Sequence, residues 1–202
     1  MTKVKFCGLK SENDVAYANE FLPDYAGFVF APASKRYVSP EKAKRLKEAL
    51  DGRISAVGVF VNESADRVAD MLNGGIIDIA QLHGDEDEIY IEKLRAFSEK
   101  PIIKAFIIKS ADDIKRANAC SADYVLLDSG RGSGEQLDFS LLKGIERPFF
   151  LAGGLSPENA ETVIITLRPY ALDVSSGIET GGSKDKEKMA AFMKAVRKAD
   201  DT

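Results

Sequence analysis

The sequence has few of the features that mark secreted, membrane-spanning or nucleic-acid-binding proteins. Its 202 residues include only two cysteines, which excludes a disulfide scaffold and favours a reducing compartment. No apolar run reaches the roughly 18 residues needed to cross a bilayer, and the N-terminus has no apolar signal region. The 28 basic and 32 acidic residues leave a net charge of −4, with no basic footprint for nucleic acid. We therefore expect a cytoplasmic protein with neither membrane nor nucleic-acid partners.

Several catalytic motifs are also missing from the chain. It has no C-x-x-C, H-E-x-x-H, Walker or G-x-S-x-G motif, so a metal-dependent or serine-triad mechanism lacks support. His83 is the only histidine and has no histidine partner for a metal site. The G-x-G-x-x-G signature of a dinucleotide-binding sheet does not follow the first apolar run. We expect neither a metal nor another cofactor.

Short β-rich apolar runs alternate with helical patterns along the whole chain. The predicted strands are Val4–Gly8, Tyr25–Phe30, Arg53–Val61, Ile77–Leu82, Ile102–Ile107, Tyr124–Asp128, Phe149–Ala152 and Ala171–Ser175. The predicted helices are Glu12–Phe21, one starting at Ser39-Pro40, Ser64–Asn73, Glu86–Ser98, Asp112–Ala119, a weak helix Phe139–Lys143, one after Ser156-Pro157-Glu158, and Lys186–Ala199.

Eight strand–helix units without a two-residue hairpin signal predict parallel strands joined by right-handed crossovers. Several strands are apolar on both faces, as a parallel sheet covered by helices requires. The chain leaves only about 25 residues per unit, near the lower limit for this architecture. No linker or low-complexity stretch divides it. We therefore predict an α/β fold, a single-domain (β/α)8 TIM barrel over residues 1–202, with an open doubly wound sheet as the alternative.

Two neighbouring loops have the composition of a phosphate site. Functional groups of such barrels lie on the loops that follow the strands, and the loops after strands seven and eight often bind phosphate. Gly153-Gly154 follows the seventh strand, where the glycines would let the backbone approach an anion and leave amides free. Ser175-Ser176-Gly177 follows the eighth strand and adds hydroxyls and amides. The alternative is that these residues only form tight turns.

Four further side chains at strand ends are candidates for chemistry. Cys7 ends the first strand. It is either a small residue of the core or a catalytic group, acting as a base or a nucleophile. Asp128 ends an apolar strand, where a carboxylate is costly unless it is solvated, paired or functional. Arg36 is either a solvated charge or a clamp for a substrate carboxylate, and His83 is either a hydrogen-bonded rim residue or catalytic. Cys120 precedes the sixth strand, at the opposite end of a barrel, and is predicted to be structural.

At these residues the sequence resembles the phosphoribosylanthranilate isomerase family of tryptophan biosynthesis, from end to end. Each landmark is weak alone, but their order and their places at strand ends are specific. The landmarks are K-F-C-G-L (5–9), G-F-V-F (27–30) with S-K-R (34–36), V-G-V-F-V-N (57–62), Q-L-H-G-D-E (81–86), L-L-D (126–128), G-S-G (132–134), L-A-G-G-L-S-P-E-N (151–159), and L-D-V-S-S-G-I-E (172–179) with K-D (184–185).

The resemblance implies a cofactor-free Amadori rearrangement of N-(5-phosphoribosyl)anthranilate, a small phosphorylated aminoaldose, to the corresponding aminoketose. It assigns the general acid to Asp128 and the general base to Cys7. It implies that Arg36 holds the anthranilate carboxylate. It also implies phosphate-binding turns at Gly153, Gly154, Ser176 and Gly177, which together with His83 make up the expected substrate-binding residues.

Two loops depart from the family pattern. The loop after Asp128 is short: its glycine motif lies within Gly130–Gly134, and Arg131 within it is either a surface charge or a second substrate contact. Gly181-Gly182-Ser183 stands where a proline–glycine pair is common, which suggests a more mobile loop.

Three other functions compete with this assignment. The histidine-pathway isomerase performs the same rearrangement, but it has an aspartate where Cys7 stands and a second glycine-rich phosphate loop; Gly74-Gly75 precedes strand four, at the wrong end. A barrel lyase or synthase usually needs a strand-end lysine; Lys104 lies within strand five, so this function is not excluded. A binding barrel without catalysis would have lost Cys7 or Asp128, and both are present. The sequence leaves the oligomeric state, monomer or homodimer, open.

Overall fold

Eight parallel strands close into a barrel in the computed structural model, which describes residues 1–128, 139–142 and 144–201. The strands are β1 (Lys3–Cys7), β2 (Tyr25–Val29), β3 (Ser55–Phe60), β4 (Ile79–Leu82), β5 (Ile102–Ile107), β6 (Tyr124–Asp128), β7 (Phe149–Ala152) and β8 (Ala171–Val174). Each strand pairs with the next in sequence, and β8 pairs with β1 to close the ring. The predicted (β/α)8 barrel is confirmed.

Helices follow most strands and begin at local capping signals. They are α1 (Glu12–Phe21), α2 (Pro40–Glu48), α3 (Ala65–Asn73), α4 (Glu88–Phe97), α5 (Ala111–Ala119), α6 (Ala160–Leu167) and α7 (Lys186–Asp200). The Ser39 side chain accepts a hydrogen bond from the Lys42 amide, and Pro40 occupies the first turn of α2. The longest described helix has 15 residues, and none has the apolar length needed to cross a bilayer.

The connection between β6 and β7 differs from the prediction of a weak helix over Phe139–Lys143. Its described part contains a single 3-10 turn, Phe139–Leu142. Lys143 lies outside the described residues. A 3-10 turn needs only four residues. A segment of that length is too short to show α-helical periodicity, so the sequence pattern could not distinguish the two kinds of helix.

The expectation of a chain without a two-residue hairpin is wrong at one place. After β8, the short strands β9 (Glu179–Thr180) and β10 (Ser183–Lys184) pair antiparallel around Gly181 and Gly182. Both glycines have positive φ, +58° and +78°, as a tight primed turn requires. Strands of two residues carry too little alternation to be recognised in the sequence, although Gly-Gly is itself a hairpin signal.

The apolar core has two parts, one between strands and helices and one inside the barrel. The interior cluster consists of Tyr25, Val57, Ile79, Ile103, Ala105, Leu126, Phe150, Ala152 and Ala171. Phe150 is fully buried and contacts the rings of Tyr25, Tyr124 and Tyr170, near the points where the strands begin. The aromatic residues fill this end of the barrel, so the opposite end is available for polar side chains.

We expect Phe150→Ala to lower the free energy of unfolding by about 3–5 kcal/mol, because it removes a buried ring and leaves a cavity. Ile89→Ala is the control, since Ile89 is 75% exposed and its truncation should cost less than about 1 kcal/mol. Urea unfolding followed by circular dichroism measures both. Equal losses in the two variants would contradict the assignment of Phe150 to the packed interior.

Candidate active site

A cavity of about 450 Å³ opens where the barrel strands end. Its size suits a small organic ligand. Its lining includes most of the site residues predicted from sequence: Cys7, Arg36, His83, Asp128, Gly153, Gly154 and Ser176. Gly177, also predicted from sequence, is not among the lining residues. Val29, Val59 and Ile107 add apolar wall, so the cavity combines an apolar surface with a few polar groups.

Cys7, the last residue of β1, lies above a buried ion pair. Lys5 is two residues earlier on the same strand and is fully buried, and its Nζ lies 2.9 and 3.0 Å from the two carboxylate oxygens of Asp173. A Cβ placed on Gly27 would lie 3.0 Å from the Cys7 Sγ and 3.2 Å from the Lys5 Nζ. The glycine therefore leaves room for the thiol and the ammonium group beside each other.

The thiol and the ammonium group influence each other's protonation. Burial raises the pKa of the Cys7 thiol, while the charge of Lys5 and its hydrogen-bonding interaction with the thiol act against this rise. For Lys5, burial alone would lower the pKa, but Asp173 and Cys7 outweigh it, so the pKa of Lys5 is raised. Lys5 therefore remains a cation beside the thiol, and the positive charge favours the thiolate.

Asp128 ends β6 and faces the ring of His83 across the cavity. The His83 Nε2 lies 3.5 Å from the Asp128 Oδ2. The backbone of His83 is held separately, because its amide donates to the Phe60 carbonyl oxygen at 2.8 Å. The two candidates thus form a pair, which the sequence alone did not indicate. The loop singled out after Asp128, Gly130–Gly134 with Arg131, lies outside the described residues.

Arg36 is held in place by Glu179. Its Nε and Nη2 each donate to one Glu179 oxygen at 2.7 Å, a bidentate pair, and Lys184 Nζ also donates to Glu179 at 2.7 Å. Burial alone would raise the pKa of Glu179, but the hydrogen bonds and charges of Arg36 and Lys184 lower it to about 2. One carboxylate between two cations leaves this cluster with one net positive charge at the cavity edge.

The loops after β7 and β8 pack tightly against each other. Gly153 and Gly154 have φ of +94° and +65°, a backbone conformation that residues with a side chain rarely adopt. A Cβ on Gly177 would overlap the Leu155 carbonyl oxygen, so only glycine allows this close approach of the two loops. The Ser175 Oγ donates to the Cys7 carbonyl oxygen at 3.1 Å and so joins the second loop to the end of β1.

The segment that follows Ser175 forms only a single 3-10 turn, Ser176–Ile178, and no α-helix begins there. What the loops offer an anion is therefore backbone amides and hydroxyl groups, together with the cations Lys184 and Arg36 nearby.

Two residues considered from sequence lie outside the cavity. Lys104 alternates with the interior residues of β5 and points outward, where its Nζ lies 2.9 Å from Glu86 and 2.7 Å from the Gly84 carbonyl oxygen. A barrel lyase or synthase would need such a lysine in the cavity. Cys120 is buried at the end of α5, and burial raises the pKa of its thiol.

Several residues of the site were missed in the sequence: Lys5, Gln81, Asp173, Glu179 and Lys184. Lys5 had a recognisable signal, since a charged residue two positions before Cys7 in a strand shares its face. Glu179 and Lys184 reach the site through the short hairpin, which the sequence pattern did not reveal. In the part of the chain that the structure describes, no group of three histidine, cysteine or acidic residues is arranged to hold a metal ion.

Comparison with known sequences decides the family. A family model described as N-(5'phosphoribosyl)anthranilate (PRA) isomerase matches residues 4–195. The N-(5'-phosphoribosyl)anthranilate isomerase of Endomicrobium trichonymphae is 45% identical, over 98% of this chain and 99% of that protein. The chain belongs to the N-(5'-phosphoribosyl)anthranilate isomerase family. The isomerase of Acetivibrio thermocellus is 43% identical, over 99% of this chain and 98% of that protein.

Solved structures of the isomerase family share this barrel. Phosphoribosyl anthranilate isomerase from Thermus thermophilus has a TM-score of 0.88 at 36% identity, covering 98% of this chain and 99% of that one. A family member in complex with reduced 1-(o-carboxyphenylamino)-1-deoxyribulose 5-phosphate has a TM-score of 0.86 at 35% identity, covering 98% and 100%. A 3-hexulose-6-phosphate synthase, 16% identical with a TM-score of 0.73, shares only the fold. The chain is thus an isomerase of tryptophan biosynthesis.

In this isomerase, Lys5→Met should raise the pKa of Cys7 further, because the thiol stays buried and loses the neighbouring cation. The rate of alkylation by iodoacetamide as a function of pH measures the shift, in a Cys120→Ala background so that one thiol reacts. Lys3→Met is the matched control, since Lys3 lies on the same strand but pairs with Asp24.

A second variant separates this effect from loss of folding. Lys5→Met leaves Asp173 buried and unpaired, which is destabilising. Lys5→Met combined with Asp173→Asn removes both charges, and its Cys7 pKa should lie between those of the wild type and the single variant. A Lys5→Met alkylation profile that matches the wild type would show that Lys5 does not act on the thiol.

Proposed function

We propose that this isomerase converts N-(5-phosphoribosyl)anthranilate to 1-(2-carboxyphenylamino)-1-deoxyribulose 5-phosphate by general acid–base catalysis without a cofactor. One observation carries the proposal: Cys7 and Asp128, on β1 and β6, line one cavity whose rim contains the glycine loops after β7 and β8. An acid, a base and an anion-binding rim around one space are what an aldose–ketose rearrangement of a phosphorylated sugar needs.

In the first step Asp128 acts as the general acid. Its carboxyl proton passes to the furanose ring oxygen, the bond from C1′ to that oxygen breaks, and C1′ becomes the carbon of a protonated Schiff base. The Asp128 carboxylate that forms faces His83, 3.5 Å away. A nearby N–H group would stabilise that negative charge as it develops.

In the second step Cys7 acts as the general base. Its thiolate takes the proton from C2′, and the electron pair of that C–H bond neutralises the iminium nitrogen to give an enolamine. C1′ then gains a proton and the C2′ hydroxyl loses one, so C1′ is reduced and C2′ is oxidised within one molecule. Lys5 beneath the thiol and the positive iminium above it both favour the thiolate during this step.

The remaining residues bind the two anionic ends of the substrate. Arg36 lies at the rim with its Nη1 outside the Glu179 pair and is proposed to hold the anthranilate carboxylate. Gly153, Gly154 and Ser176 are proposed to bind the phosphate through amides and a hydroxyl group. His83 completes the substrate-binding wall beside Asp128.

The same rearrangement on a histidine-pathway substrate is the second candidate reaction. That enzyme has an aspartate as base and a second phosphate-binding loop, whereas this chain has Cys7. Gly74, the C-cap of α3, lies with Gly75 before β4, at the end of the barrel away from the cavity. These differences favour the anthranilate substrate.

We expect Cys7→Ser and Asp128→Asn each to lower kcat by about 10²–10⁴-fold, the usual contribution of a positioned acid or base. The fall in fluorescence of freshly prepared phosphoribosylanthranilate measures turnover. Cys120→Ser and Asp112→Asn are matched controls outside the cavity and should retain wild-type rates. An inactive wild type would reject the assigned reaction, and undiminished turnover in both site variants would reject the mechanism. A parallel assay with the histidine-pathway substrate tests specificity.

We expect Gly177→Ala to weaken phosphate binding, because the added methyl group pushes apart the loops after β7 and β8. Inhibition by inorganic phosphate should weaken about ten-fold or more, the effect of losing one hydrogen bond to a charged group. Gly52→Ala is the control, since no atom lies within 4 Å of a Cβ there. Unchanged inhibition in a folded Gly177→Ala protein would place the phosphate elsewhere.

A further inference from the structure

Gln81 on β4 is a buried polar side chain for which the proposed reaction has no role. It is 1% exposed and belongs to the cavity lining. Its Nε2 lies 2.9 Å from the His83 Nδ1. Its Oε1 is buried and has no hydrogen-bond partner among the residues that the structure describes. A buried acceptor without a partner lowers the free energy of unfolding by about 1–3 kcal/mol, so the presence of Gln81 at this position needs an explanation.

The reason lies in the two nitrogens of the His83 ring. A neutral imidazole carries one proton, and the hydrogen bond made by one nitrogen determines which nitrogen holds it. The Gln81 amide nitrogen can only donate, so the His83 Nδ1 must accept. The proton of the ring is then on Nε2, the nitrogen that lies 3.5 Å from Asp128.

The opposite amide orientation would be worse for the pair. Oε1 would then face Nδ1 and require the proton there, and the bare Nε2 would point its lone pair at the carboxylate that Asp128 becomes when it gives up its proton. Two acceptors facing each other repel, whereas an N–H group facing a carboxylate attracts. The amide nitrogen of Gln81 would also become the unpaired buried group, so rotating the amide by 180° would still leave one buried polar atom without a partner.

We propose that Gln81 is a positioning residue that fixes the proton of His83 on Nε2, so that this N–H stabilises the Asp128 carboxylate formed when the acid gives up its proton. The role in turnover rests on the proposed function, but the position of the proton does not. The 3.5 Å separation is longer than a strong hydrogen bond, as is common in catalytic pairs before substrate is bound.

The backbone around His83 is held independently of Gln81, so a change at Gln81 should alter the ring and not the loop. The His83 amide donates to the Phe60 carbonyl oxygen at 2.8 Å. The next residue, Gly84, donates its amide to Glu86 at 2.8 Å and accepts from Lys104 at 2.7 Å. These contacts remain in a Gln81 variant.

The chain offers a direct test because His83 is its only histidine. Nitrogen-15 NMR of the imidazole ring in the free enzyme, recorded at a pH high enough for the ring to be neutral, therefore reports a single side chain. We expect the protonated-type signal at Nε2 and the unprotonated-type signal at Nδ1. A wild-type ring with its proton on Nδ1 would overturn the proposal, whatever reaction the enzyme catalyses.

Two substitutions extend the test. Gln81→Leu removes the donor, so both tautomers should become populated, and kcat should fall about ten-fold while KM changes less than two-fold. Gln81→Glu replaces the donor by an acceptor and should draw a proton to Nδ1. Asn73→Leu is the control: it removes an amide that donates to the Phe97 carbonyl oxygen, outside the cavity, and should leave tautomer and rate unchanged.

The outcomes separate this inference from the proposed reaction. A single Nε2–H tautomer retained in Gln81→Leu would show that Gln81 does not set it. A lost tautomer with an unchanged kcat would show that the proton position is irrelevant to turnover. If the wild type fails to isomerise phosphoribosylanthranilate, the reaction is wrong and the NMR result still decides the tautomer.

Discussion

The pairing of β8 with β1 closes the sheet, and the site depends on that closure. Because all eight strands are parallel, a closed ring brings eight strand ends to one rim. Lys5 and Asp173 lie directly opposite each other in the register of this pair and form an ion pair inside the barrel. Two residues further along both segments, the Ser175 hydroxyl donates to the Cys7 carbonyl oxygen, although the two residues are 168 positions apart in the sequence. An open edge here would separate the thiol from its cation and from the loops after β7 and β8.

The charges around the cavity are paired locally and are not spread as one positive surface. Lys5 opposes Asp173, while Arg36 and Lys184 share Glu179. Buried charges are costly without partners, so pairing is the condition under which a low-dielectric cavity can contain them. The shared carboxylate also fixes the guanidinium of Arg36 in one orientation and still leaves a surplus positive charge. Such an edge is ready to bind an anion without first rearranging its own side chains.

Sequence patterns predicted the barrel because each of its strands and helices is encoded by residues that are neighbours along the chain. Apolar strands such as Tyr25–Val29 and capped helices such as the one after Ser39 each carry their own signal, and eight repeats leave few topologies. The candidate residues Cys7 and Asp128 were found because each ends a strand. Asp173 and Glu179, which pair with Lys5 and Arg36, were not found, because residues so far apart along the chain leave no local sequence pattern. The hairpin around Gly181 was missed for a different reason, the length of its strands.

By itself, the sequence determined the order of strands and helices, the family, and which residues stand at strand ends, because these properties depend on neighbours along the chain. Only the tertiary structure decided which of those residues meet. It placed Lys5 beneath the Cys7 thiol, turned Lys104 away from the cavity, and aligned Gln81, His83 and Asp128 in one row. These contacts follow from strand register and barrel closure, and a shift of one residue in the register of any one strand would turn that strand's side chains to the other face.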